Sequence, residues 1–224
     1  VSLTPGADQT QLNLAWYNHT TETPAVRIAT KQNMDGAKEF VGTQTEAVTI
    51  DGVKYFSNKA TVKGLKENTK YYYQVFQNGK WQDAETYTTK SFDSFSFLYV
   101  GDPQIGASKN QTSTEQEKMV SAGNEVSSAA KDNLAARNDG YNWNNILNDA
   151  VKDHEDVSFI VSAGDQVNAG KNEREYAAYL GADALASLPV ATTIGNHDSV
   201  SNQYTLHFNN PNAWTPIVVI FPPI

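Results

Sequence analysis

Three short apolar runs, each breaking off into a polar loop led by glycine, restrict what the second half of this 224-residue chain can become more than any other feature. Residues 95–100 run into Gly101-Asp102-Pro103-Gln104, residues 157–163 into Gly164-Asp165, and residues 189–194 into Gly195-Asn196-His197-Asp198. Strands that alternate with long helical segments predict a parallel sheet covered by helices. In an open sheet of that kind, ligands lie beyond the carboxyl ends of the strands. All three loops occur at that end, so they are expected to converge. Glycine lets the chain turn sharply off a strand and present Asp102, Asp165 and Asn196 as oxygen donors on rigid supports. Any one of these loops is ordinary turn chemistry. Together, in this order, they predict a cation site.

The helices follow from spacing. Trp143, Ile146, Leu147, Ala150 and Val151 fall at i, i+3, i+4, i+7 and i+8, which predicts one buried stripe packed on the sheet. A second helix is expected over 173–187, with Tyr176, Tyr179 or Leu180, and Leu185 available for burial and Gly181 as its weakest point. The polar stretch 108–138 reads as a lid-like excursion.

The first ninety residues follow a different rule. Short β-branched and aromatic runs at 11–17, 25–30, 47–50, 57–62, 71–77 and 81–88 are separated by turn residues, which predicts an all-β sandwich. Within QLNLAWY, Leu12, Leu14 and Trp16 alternate with Gln11, Asn13 and Ala15, so Trp16 is expected in the core. The stretch GLKENTKYYYQVF, with Leu65, Tyr71, Tyr73 and Val75, resembles the tyrosine-corner region of fibronectin type III domains, although Glu67 stands where many of them carry proline. The fold class is therefore an all-β, fibronectin type III-like sandwich over 1–91 followed by an α/β unit over 92–224.

Composition narrows the chemistry. The chain has no cysteine, so carboxylate, imidazole and amide groups are left to form any metal or catalytic site. Residues 1–91 hold ten Lys and Arg against nine Asp and Glu, whereas residues 92–224 hold seven against sixteen. An acidic second half disfavours nucleic acid as a partner. No apolar run approaches the roughly 20 residues of a membrane-spanning helix. The chain starts at Val1 without a leader, which reads as a secreted or cell-surface protein whose signal peptide is not in the chain. There is no Gly-x-Ser-x-Gly, no phosphate-cradling glycine-rich loop and no Gly-x-Gly-x-x-Gly after a strand.

The three loops resemble the first three motif blocks of the calcineurin-like metallophosphoesterases, a superfamily that includes purple acid phosphatases, many of them preceded by a fibronectin-like sandwich. The resemblance implies two divalent metal ions (Mn, Fe, Zn or Mg), with Asp102 on the first, Asp165 bridging and Asn196 on the second. His197 and Asp198 would then sit beside a phosphate-ester substrate. The implied chemistry is hydrolysis by a metal-bridging hydroxide, with His197 stabilising charge or protonating the leaving oxygen. Gln104 stands where many members have a histidine ligand, and it would hold the first metal through a weaker amide oxygen. Asn168 stands where purple acid phosphatases carry tyrosine, so no charge-transfer colour is expected.

His19, His154 and His207 are expected to face solvent. The superfamily's later histidine blocks have no match before Ile224, so the phosphoesterase part is expected to be incomplete. Exposed sheet edges would then invite association. The alternative reading is a non-catalytic, secreted surface or adhesion module with an inactive phosphoesterase remnant.

Overall fold

The computed structural model describes residues 1–108 and 134–211. The expected lid-like stretch and the closing apolar run lie largely outside these residues.

The first part is a sandwich of two antiparallel sheets. One sheet contains β1 (Ser2–Pro5), β2 (Leu12–Asn18), β6 (Val53–Val62) and β5 (Thr43–Ile50), in that order. The other contains β4 (Lys38–Val41), β3 (Ala25–Ala29), β7 (Lys70–Gln77) and β8 (Lys80–Trp81), with β9 (Glu85–Thr88) also paired to β7. Residues 81–88 thus form two short strands rather than one, and β1 and β4 have no counterpart in the sequence reading. Leu12, Leu14, Trp16, Val26, Ile28, Val62, Tyr73 and Val75 fill the space between the sheets. The tyrosine corner is present: the Lys66 backbone N–H donates to Tyr71 Oη at 2.8 Å, tying the turn to the strand that follows it.

Strand β2 departs from the simple alternation. Asn13 and Ala15, on the face expected to meet water, are only 5% and 2% exposed. The reason is tertiary, since residues after the third loop lie across this face and Asn13 Nδ2 donates to the Asn209 carbonyl at 2.8 Å.

The second part is a parallel sheet in the order β10 (Ser96–Val100), β11 (Val157–Ser162), β12 (Val190–Thr192). Helix α1 (Leu134–Asp153) and helix α2 (Glu173–Leu180) pack together and share a core with the sheet. Leu147, Ile160, Tyr176 and Tyr179 are fully buried there. On α1, Trp143 and Leu147 are buried as expected, but Ile146 is 61% exposed, because the stripe continues instead through Ala136 and Gly140, which meets Ala178 of α2. The helix expected over 173–187 ends at Leu180, with Gly181 at its C-cap, and resumes as a 3-10 turn at Asp183–Ala186. Among the described residues, one sheet face remains open. Phe95, Phe97 and Tyr99 are about half exposed or more, and Phe97 stacks on Phe159 at 5.6 Å.

Candidate functional site

The three strand-end loops lie side by side, as the strand order requires. Pairing of β10 with β11 continues past the strands: Gln104 N–H donates to the Asp165 carbonyl (2.9 Å) and Ile105 N–H to the Gln166 carbonyl (3.2 Å). The second and third loops meet at their glycines. Gly164 has φ +107 and lies against the Gly195 backbone, and a Cβ at Gly195 would overlap the Asp165 carboxylate. Neither position tolerates a side chain without movement of its neighbour. Asp102, Gln104 and Asp165 all have left-handed backbones, with φ 49, 41 and 49. That conformation is tolerable for Asp and less so for Gln, and sequence patterning gives no sign of it.

The side chains within this frame are arranged differently from the expected metal site. Asp165 Oδ1 accepts the His197 backbone N–H at 2.9 Å. Asp198 is fully buried, its two oxygens accepting N–H groups of Gln166 (3.1 Å) and Gly195 (2.9 Å). Burial pushes the Asp198 carboxyl above the ordinary range of a carboxylate and outweighs the N–H donors that pull it down. His197 Nδ1 lies 2.6 Å from the Asn168 carbonyl oxygen, which can only accept, so this nitrogen carries a proton. Asn196 is exposed. Asp102 is exposed and lines a cleft of about 410 Å³ toward α1, together with Asp139, Asn142, Trp143 and Ile146.

These placements correct the expectation of a two-metal centre. Among the described residues, no group of three or more His, Asp or Glu could hold a metal ion. Asp165 and Asp198 accept backbone N–H groups from the neighbouring loops, while Asp102 lines the cleft toward α1. The donors among the described residues do not fit a pair of Mn, Fe, Zn or Mg ions, and hydrolysis through a metal-bridging hydroxide has no support among them.

Two residues escaped the sequence reading. Gln166 is fully buried beneath the loops and donates to Ser162 Oγ (2.8 Å) and the Thr193 carbonyl (3.1 Å). Its position directly after Asp165 was the available signal. His207, expected in solvent, is 9% exposed and lies 2.7 Å from Glu173. Nothing local in the sequence predicts that pairing.

Comparison with known proteins agrees with this frame. Residues 1–89 match the purple acid phosphatase N-terminal domain, and residues 95–224 match the calcineurin-like phosphoesterase family. The chain belongs to the calcineurin-like phosphoesterase family and carries an accessory N-terminal domain of the purple acid phosphatase type. Among solved structures, it is similar to a purple acid phosphatase isolated from yellow lupin (Lupinus luteus) seeds, with 15% identity and a TM-score of 0.59, covering 88% of this chain and 34% of that one. A weaker likeness links it to PhoD, with 11% identity and a TM-score of 0.43 over 88% of this chain and 38% of the other. The chain therefore spans about a third of the length of these structures. No curated protein matches significantly.

Proposed function

We propose that this chain acts as a non-catalytic module, in which a phosphoesterase-family unit retains the strand-end loops as structure and the sandwich presents a surface for adhesion. One observation carries the reading: the loop carboxylates hold backbone N–H groups, Asp165 that of His197 and Asp198 those of Gln166 and Gly195. Each backbone donor takes up one of the lone pairs that a carboxylate would otherwise offer a cation, and directs it into the loop. In this reading Asp102, Gln104, Asp165, Asn196, His197 and Asp198 are a remnant of a site rather than a working one. The outer strand β4 is mostly exposed, half of β5 is exposed, and Val41 is 68% exposed, so this edge of the sandwich is available to a partner. Among the described residues, no helix is long and apolar enough to cross a membrane. Secretion is part of the proposal and rests on the family resemblance. Fractionation of the source cells tests it directly.

The deciding experiment incubates the purified chain with Mn²⁺, Fe²⁺, Zn²⁺ or Mg²⁺ and p-nitrophenyl phosphate or bis-p-nitrophenyl phosphate, and measures bound metal after desalting. No stoichiometric metal and no metal-stimulated turnover are expected. Metal-dependent release of p-nitrophenol that scales with protein, and disappears in Asp165→Asn, would overturn the proposal.

A further inference from the structure

Much of the boundary between the sandwich and the phosphoesterase unit is formed by one short segment. Helix α3 (Gln203–His207) and the residues after it, through Asn210, follow the third strand-end loop and lie across the outer face of β1, β2 and β6. The sandwich grips this segment by its backbone. Ser57 Oγ donates to the Leu206 carbonyl (2.6 Å), Ser2 Oγ to the His207 carbonyl (2.5 Å), and Thr4 Oγ1 and Asn13 Nδ2 to the Asn209 carbonyl (2.8 Å each). In return, Asn209 Nδ2 donates to the Ala60 carbonyl at 3.1 Å. Hydrogen bonds to this many main-chain carbonyls fix the position of a segment, not only its proximity.

His207 sits at the centre of the joint. Its ring lies between Tyr17 of the sandwich (centroids 4.5 Å apart, 20° between planes) and Tyr176 of α2 (4.3 Å, 27°). Its Nε2 lies 2.7 Å from Glu173, the first residue of α2. One imidazole therefore touches both units and the start of the helix that follows the second loop. The second and third loops are tied to each other, Ser201 Oγ donating to the Gly170 carbonyl and the His197 ring to the Asn168 carbonyl, and they run on in sequence into Glu173 and Gln203 at this joint. Further ties run alongside, from Tyr73 Oη to the Ala186 carbonyl (2.8 Å) and from Arg174 to Asp51 (3.0 Å).

We propose that segment 203–210 is a rigid joint through which the sandwich braces the second and third strand-end loops, with His207 as its positioning residue. The sandwich is then a structural part of the phosphoesterase unit, not a detachable tether, and the two unfold together. Contiguous packing of this kind couples local openings in neighbouring elements.

Calorimetry and hydrogen exchange read by mass spectrometry on the full chain test this. The wild type is expected to unfold in one transition. In His207→Ala, amides of 164–172 and 195–202 should exchange at least tenfold faster, while those of β3, in the opposite sheet of the sandwich, change less than twofold. His207→Phe keeps the stack and loses the bond to Glu173, so it should restore part of the protection. Two separated transitions in the wild type, or loop amides within twofold of wild type in His207→Ala, would overturn the proposal. Should that variant not fold, Asn209→Ala carries the same readout, because it removes the bonds to Ala60 and Leu14 and leaves the imidazole in place.

Discussion

Removing the Asp198 carboxylate tests whether it is a brace, as its geometry indicates, or a group held ready for a substrate. In Asp198→Ala the N–H groups of Gly195 and Gln166, now bonded at 2.9 and 3.1 Å, lose an acceptor that is itself fully buried. Each stranded donor costs about 1–3 kcal/mol. Part of this is offset, because the alanine variant no longer buries a carboxylate whose ionisation burial already opposes. A net loss of about 3 kcal/mol is expected, which lowers Tm by about 6–12 °C in a chain of this length. Asp198→Asn keeps one acceptor oxygen and should lose about half as much. Urea unfolding followed by circular dichroism supplies the free energies and calorimetry the Tm shifts. An alanine variant within about 0.5 kcal/mol of wild type, or an asparagine variant less stable than the alanine one, would refute the reasoning.

Three further outcomes are expected. Leu147→Ala, at a fully buried position, should destabilise by about 2–5 kcal/mol, whereas Ile146→Ala, one residue earlier and largely exposed, should stay within about 0.5 kcal/mol in the same urea titration. Tyr71→Phe removes the acceptor of the Lys66 N–H and should cost about 1 kcal/mol without changing the circular dichroism spectrum. Burial pushes the Tyr87 phenol up to about 12, and Tyr17, Tyr73, Tyr176, Tyr179 and Tyr204 are also raised by burial. For Tyr87 the native state holds its proton where the unfolded chain releases it near pH 10. Its contribution is intact below pH 10 and lost as pH rises through about 12. An ultraviolet titration should show these phenols ionising together with unfolding, and smooth ionisation of all tyrosines near pH 10 in folded protein would contradict it.

Much of the fold was legible because it depends on neighbours in sequence. The alternation of Leu12, Leu14 and Trp16 determined which side of β2 enters the sandwich, and the glycine-led breaks after three apolar runs located the parallel strands, although β12 stops at Thr192, before the expected Ile194. Helix phase was only partly legible: five apolar residues defined a stripe, yet the close approach of Gly140 to Ala178 rotated Ile146 out of it. The buried outer face of β2 and the pairing of His207 with Glu173 were not legible, since their partners lie some 195 and 34 residues away.

The candidate site divides along the same line. Residue type and spacing determined that Asp102, Asp165 and Asn196 stand on adjacent loops at one end of a sheet. Only the tertiary structure decided which way their oxygens turn, because that depends on backbone N–H groups from other loops competing for the same lone pairs. A carboxylate looks identical in a sequence whether it grips a loop or a cation, and here the nearest donors are the amides of His197, Gln166 and Gly195.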